Sequence, residues 1–124
     1  MQINLERPDS HSIQSYSDQG VVINDKTYRS SLIVSQQTID DNWQQTHIHL
    51  LNEDDVSRIL IFNPEIVIIG HPSSGQFPND AIRLLFSQKK VGLECMDIGA
   101  ACRTFNVLLS ELRNVTLALI IPAA

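Results

Sequence analysis

The sequence predicts a mixed α/β (α+β) fold, with an antiparallel β portion packed beside a parallel β-α-β-α-β portion in a compact, three-layer single domain. The chain has 124 residues, a length that suits one domain with one core. Up to about residue 50 the pattern is typical of short strands, and from residue 51 helical and strand patterns alternate. We therefore expect one domain over 1–124, with a partly exposed N-terminal segment (1–19), a β-rich half (20–50) and an α/β half (51–124).

The first half is predicted to contain a hairpin and one further strand. Two strand-like runs, 21–23 and 27–34, flank the turn-prone triplet Asn24-Asp25-Lys26. Another strand is predicted over 46–50. The stretch 8–19 is rich in Ser, Asp and Gln, so we expect it to be an exposed connection.

The second half is predicted to alternate three helices with three strands. Asn52 and Asp97 can cap two of the helices, and Pro78 suits the first turn of the other. The helices are expected from Asn52 to before Pro64, through 78–88, and through 99–112. The strands are expected over 66–69, 91–96 and 115–121. Because helical crossovers link them, these strands should be parallel neighbours in one sheet.

The charge balance excludes several classes of protein. The formal net charge of -5 argues against a broad surface for nucleic acid or anionic lipid. No run approaches the ~20 apolar residues of a membrane span. The first 19 residues hold more acids than bases, which is the wrong balance for a signal or transit peptide. We therefore expect a cytoplasmic chain with no nucleic-acid partner and no direct membrane insertion.

Neither the cysteines nor the histidines predict a metal site. Cys95 and Cys102 lack a paired-cysteine motif, so we expect two reduced, unbridged thiols. His47 and His49 would share one face of the predicted strand, but zinc needs three or four ligands. A polar strand face explains this pair, and we expect no metal and no cofactor.

The loop over 70–77 follows a buried strand and has the spacing of a phosphate loop, Gly-x4-Gly. Gln76 and Phe77 stand where a true phosphate loop has Lys and then Ser or Thr, so NTP hydrolysis is not favoured. The nucleophile elbow of serine hydrolases is also absent, which leaves no predicted catalytic residue. Ligands often bind at the carboxyl ends of parallel strands, so this is either a ligand-binding loop or a simple turn.

The predicted helix after Asp97 has two contrasting sides. At helical spacing, one apolar stripe should face the core, formed by Ala101, Phe105, Leu108 and Leu112. Arg103 and Asn106 fall on the opposite side. Such a polar side is either a solvated face or part of a recognition site.

The residues of this helix also carry a family resemblance. The stretch 96–106, which includes Arg103-Thr104-Phe105-Asn106, and the Glu-x-Arg of 111–113 resemble an uncharacterised small-domain family. That family includes mitochondrial respiratory complex I assembly factor 3 and the adipogenesis-associated domain protein, and this chain looks like a bacterial relative. Trp43 and the proline-led strand over 63–70 also fit the family pattern. The resemblance implies the fold described above, and it offers no settled activity for bacterial members.

Two positions depart from the family pattern. Gly70-His71-Pro72 stands where the family usually has Gly-Thr-Gly, and Phe105 replaces a Tyr. Our candidate site for a ligand or partner lies between the loop and the start of the helix. It comprises Gly70, His71, Ser73, Ser74, Gly75, Asp97, Arg103 and Asn106.

These observations favour a non-enzymatic interaction or assembly factor that binds an unknown protein partner, linked to membrane-complex biogenesis. A homo-oligomer is left open. The alternative is a small-molecule or anion-binding domain, or an enzyme, that uses the candidate site. A partner in pull-down and an exposed apolar patch would favour the first interpretation. A concave pocket lined by Arg103 would favour the second.

Overall fold

The computed structural model describes residues 10–73 and 75–122, and within them the chain forms eight strands, three α-helices and one 3₁₀ turn. The helices are α1 (Glu53–Leu60), α2 (Asp80–Gln88) and α3 (Ile98–Ser110). The strands are β1 (Ser15–Ser17), β2 (Gly20–Ile23), β3 (Lys26–Tyr28), β4 (Leu32–Val34), β5 (Ile39–Asp40), β6 (Ile66–Gly70), β7 (Gly92–Met96) and β8 (Val115–Leu119).

The strands form two sheets, one antiparallel and one mixed. The small sheet has the order β1-β2-β3, and the five-stranded sheet has the order β5-β4-β8-β6-β7. β6 lies between β7 and β8 and runs parallel to both, whereas β4 is antiparallel to β8. The predicted parallel arrangement of the three strands is therefore confirmed, and so is the mixed α/β fold class.

The five-stranded sheet has a hydrophobic core on each face. Because side chains alternate along β6, Ile68 joins the core with Phe105 of α3, and Ile69 joins the opposite core with Trp43 and Phe86. The first core also takes in β2 of the small sheet, and the second takes in α1 and α2. The result is the layered packing that the sequence predicts.

The helix ends show local capping that fixes where each helix begins. Asn52 and Asp55 form a reciprocal capping box at α1. Asp97 accepts a hydrogen bond from the Ala100 N–H at 2.8 Å, as the sequence predicts for α3. α2 begins later than predicted, because Asn79 caps it and Pro78 lies before the cap.

The buried stripe of α3 differs from the predicted one. α3 ends at Ser110, so Leu112 lies beyond the helix and is 70 % exposed. Leu108 is only half-buried. The buried side chains of α3 are Ile98, Ala101, Cys102, Phe105 and Leu109.

The prediction of one long strand over 27–34 is wrong. β3 ends at Tyr28 and pairs in the small sheet, whereas β4 begins at Leu32 and pairs in the large one. The buried Ser31 lies at the crossing between the sheets. Its hydroxyl donates to the Gln45 carbonyl at 2.5 Å and accepts from the Ile121 N–H at 2.8 Å. The side chain thus bonds two buried backbone groups where the strand pattern is interrupted.

The strand predicted over 46–50 is also wrong. Ile48–Leu50 is a 3₁₀ turn, in which the Leu50 N–H donates to the His47 carbonyl at 3.0 Å. The Gln45 side chain accepts from the N–H groups of Thr46 and His47. A side chain rather than a neighbouring strand therefore binds this backbone.

The predicted exposed connection over 8–19 is partly structured. β1 pairs with β2, and Ile13 is 5 % exposed within the core beneath α3. Residues 8 and 9 lie outside the described residues.

Candidate functional site

The loop after β6 and the start of α3 emerge at the same edge of the large sheet. Gly70 and Met96, the last residues of β6 and β7, are partners in the parallel register. The N–H of His71 continues the ladder and donates to the Met96 carbonyl at 3.1 Å. Gly70, His71 and Asp97 of the predicted candidate residues lie at this edge.

Gly70 permits close packing of α3 on β6. A Cβ atom at this position would lie 2.6 Å from Ala101 Cβ and 2.7 Å from Leu119 Cδ2. These distances leave no space for a side chain, which explains the glycine by packing. No ligand is needed to account for it.

His71 is buried at the start of the loop, where only 3 % of it is exposed. Its Nδ1 accepts a hydrogen bond from the Ser73 N–H at 3.2 Å. Burial lowers the pKa of His71, and the nearby charge of His49 lowers it further, while the Gln76 backbone and Asp97 act in the opposite direction. The imidazole is therefore neutral at pH 7 and acts as an internal acceptor.

The loop itself turns between Ser73 and Gln76. The Gln76 N–H donates to the Ser73 carbonyl at 3.1 Å, and Gly75 has a φ of 78°. A positive φ of this kind favours glycine. The predicted candidate Ser74 lies outside the described residues.

Arg103 is bonded to the N-terminal segment. Its Nη1 donates to Tyr16 Oη at 2.7 Å, and its guanidinium lies 5.8 Å from the centroid of the Tyr16 ring. Gly99 makes room for this pair, since a Cβ there would lie 3.0 Å from Tyr16 Cε1 and 3.2 Å from Arg103 Nη1. The other guanidinium N–H groups bond no residue within 10–73 and 75–122.

Asn106 lies one turn further along α3 and holds the chain just before β1. Its Oδ1 accepts from the Ile13 N–H at 2.7 Å, and its Nδ2 donates to the Ile13 carbonyl at 2.9 Å. The structure thus places two groups of candidate residues: Gly70, His71 and Asp97 at the sheet edge, and Arg103 and Asn106 against the N-terminal segment. Ile13 and Tyr16 were missed by the sequence reasoning, which treated this segment as an exposed connection.

The cysteines are free and unreactive at neutral pH. Burial raises the pKa of Cys95 to about 11 and that of Cys102 to about 12. A protonated thiol is neither a good nucleophile nor a metal ligand. Among the described residues, no three His, Cys, Asp or Glu side chains are grouped to hold a metal ion.

Two adjoining grooves were not predicted from the sequence. The α2–β7 groove has a volume of about 500 Å³ and lies along the outer strand β7. The α1–α2 groove, of about 530 Å³, lies at the C-terminal ends of these two helices. Lys90 and Val91 line both grooves, and the exposed side chains of Leu84 and Ile61 line one each. No sequence motif marks them, because they form where separate helices meet the sheet.

A family profile described as "Protein of unknown function (DUF498/DUF598)" matches residues 13–120. The chain belongs to this family. The resemblance carried by the α3 motifs is therefore confirmed.

One relative is the NADH dehydrogenase (ubiquinone) 1 alpha subcomplex assembly factor 3 of Xenopus tropicalis. It is 31 % identical over 113 residues, which cover 89 % of this chain and 60 % of the relative. The chain thus spans 60 % of the length of that protein.

Solved structures of similar proteins share the fold. A Xanthomonas campestris protein is 29 % identical, with a TM-score of 0.83 over 98 % of this chain and 92 % of its own. A structure described as an outer membrane protein from Bartonella henselae is 30 % identical, with a TM-score of 0.80 over 94 % and 98 % of the two chains. None of the helices in the described part of this chain is long and apolar enough to cross a membrane.

Proposed function

We propose that this chain is a non-enzymatic interaction protein that binds another protein during the assembly of a membrane-associated complex. The name of the Xenopus tropicalis relative, an assembly factor for NADH dehydrogenase, supports the assembly role. The Bartonella henselae neighbour, described as an outer membrane protein, supports an association with membranes. In this proposal the chain acts from the cytoplasm, and its partner is a protein rather than a nucleic acid.

The observation that carries the proposal is the pair of adjoining grooves with exposed apolar side chains. Ile61 is 81 % exposed and Leu84 is 56 % exposed. Apolar side chains beside basic ones, here Lys89 and Lys90, suit the centre and the polar rim of a protein interface. The candidate residues from the sequence, in contrast, are largely engaged in capping, close packing and hydrogen bonds within the chain.

A matched pair of variants tests where the partner binds. Leu84 on α2 is 56 % exposed, and Val107 on α3, against the opposite face of the sheet, is 54 % exposed. Affinity-tagged wild-type chain is expected to co-purify a partner from the cells that naturally produce it. Leu84→Asp should lose that partner and Val107→Asp should keep it. Loss with both variants, or with neither, would contradict the proposed surface, and a wild type that binds no protein would contradict the function.

A second candidate is anion or carboxylate binding at the predicted site, favoured by the N–H groups of Arg103 that bond no described residue. An arginine fork suits a carboxylate or phosphate. Arg103 is exposed, so its hydrogen bond to Tyr16 contributes little stability. Arg103→Ala should therefore barely move the unfolding midpoint while abolishing the binding of inorganic phosphate. Unchanged phosphate binding in Arg103→Ala, or no binding by the wild type, would exclude this candidate.

A further inference from the structure

β7 is an edge strand, and no strand within 10–73 and 75–122 pairs with its outer side. It pairs with β6 on one side and ends the strand order of the large sheet. The Gly92 N–H donates to the Glu65 carbonyl at 3.0 Å, and the Met96 carbonyl accepts from the His71 N–H at 3.1 Å. Backbone groups alternate in direction along a strand, so those of Leu93 and Cys95 point outward. No described backbone group bonds them, so they form a ladder for one more strand.

The α2–β7 groove flanks this open ladder and is basic. Arg83, Lys89 and Lys90 line it and the adjoining α1–α2 groove, and Asp80 is the only acidic residue among the described lining of the two. No described residue forms an ion pair with these three bases. This local excess of positive charge, on a chain whose net charge is -5, suits an acidic segment that contacts the groove itself.

A second copy of the chain fits this edge poorly. The exposed Glu94 lies at the centre of β7. Antiparallel pairing of two β7 strands with full overlap would place Glu94 directly opposite Glu94 of the other copy. Like charges in opposite positions destabilise strand pairing, and charges on edge strands are a common device against self-association.

We propose that the β7 edge accepts an extended, acidic segment of a partner protein as a sixth strand of the large sheet. The segment would bond the outward backbone groups of Leu93 and Cys95. Because side chains alternate along a strand, its acidic side chains would face Arg83 and Lys90 in the α2–β7 groove, and its apolar side chains would lie on the other face of the sheet, beside Glu94. This inference rests on the proposed function and names the chemistry of the partner.

Peptide titration of the ¹⁵N-labelled full chain tests this proposal. The probe is a peptide in which Val and Asp alternate, and its control has Lys in place of Asp. The acidic probe should shift the amide signals of Leu93 and Cys95 and bind about tenfold more tightly than the basic one. Equal binding of the two peptides, absence of binding, or shifts confined to other strands would overturn the proposal.

Two variants separate the backbone contribution from the charge contribution. Leu93→Pro removes an outward N–H that β6 does not use, so it should abolish peptide binding while the β6 signals stay unchanged. If this variant fails to fold, charge-reversal variants test the proposal instead. Arg83→Glu should weaken the acidic probe about tenfold, whereas Arg29→Glu, an exposed base elsewhere, should leave it unchanged. Equal effects of the two reversals would overturn the proposal.

The oligomeric state and the co-purified partner complete the test. A dimer in sedimentation with a protected Cys95 amide would show that a second copy occupies the edge, which would overturn the proposal. If no peptide binds but Leu84→Asp still loses the natural partner, the strand-addition mode is wrong and the proposed function stands.

Discussion

Gly70 lies where β6 passes beneath α3, and its lack of a side chain determines how closely the two elements approach. We predict that Gly70→Ala lowers the free energy of unfolding by about 1–3 kcal/mol, because the added methyl would overlap Ala101 Cβ and Leu119. Gly92→Ala is the control, since the nearest atom to its Cβ would be 3.5 Å away. Denaturant unfolding of both variants checks this. Equal stability of the two would show that α3 shifts to accommodate the methyl.

The buried His71 is expected to make the free energy of unfolding depend on pH. Its pKa in the folded chain lies below the usual 6.5, because burial disfavours the charged imidazole. As the pH falls below 6.5, His71 binds a proton in the unfolded chain but not yet in the folded chain. The free energy of unfolding therefore falls. This loss continues until the pH passes the folded pKa.

The experiment compares unfolding at about pH 7.5 and about pH 5, on either side of the usual histidine range. His71→Gln should lose less stability than the wild type over that interval. His47→Gln, which alters an exposed histidine, should match the wild type. A wild-type pH dependence retained in His71→Gln would contradict the assignment.

At the scale of elements, α3 holds the segment that leads into β1 through Asn106. Asn106→Ala removes both hydrogen bonds to the Ile13 backbone, each worth about 1 kcal/mol. We expect faster hydrogen exchange at Ile13 and in β1, with β6 and β8 unchanged. Ser110→Ala is the control, because the Ser110 hydroxyl donates within α3, to the Val107 carbonyl, and bonds no other described residue. Unchanged exchange at Ile13 would show that apolar burial alone holds this segment.

The elements that the sequence predicts correctly are those with local signals. Asn52 and Asp97 cap helices through residues three positions away, and β6 is a continuous apolar run. The failures lie where distant residues decide the conformation. The Gln45 side chain bonds backbone groups within 46–50, and the Ser31 hydroxyl bonds backbone groups at the crossing between the sheets. No local sequence pattern predicts either set of bonds.

The candidate site shows the same division between local and distant causes. The meeting of the loop and α3 at one sheet edge follows from parallel topology, which the sequence carries as alternating helices and strands. The parallel topology does not predict which residues form hydrogen bonds with Arg103 and Asn106. Tyr16 and Ile13 are 87 and 93 positions away in the chain, so only the folded packing brings them together.

At the scale of the whole molecule, the two faces of the large sheet have different roles: one is covered by packing, and the other carries the proposed binding surface. The face under α3 also packs against the small sheet. The face under α1 and α2 carries the two grooves and extends to the open edge at β7. The bases of this edge, Arg83, Lys89 and Lys90, form a local positive patch on a chain of net charge -5, and this patch suits an acidic segment.

The most direct measurement is hydrogen exchange of the full chain with and without its co-purified partner. If the partner binds at the β7 edge, its addition should slow exchange at Leu93, Cys95 and the exposed side of α2. The reason is that a bound strand would accept hydrogen bonds from the outward N–H groups of β7. Exchange at the start of α3 should stay unchanged. Protection at the start of α3, near Arg103, with β7 unaffected would contradict this account and favour the anion-binding site.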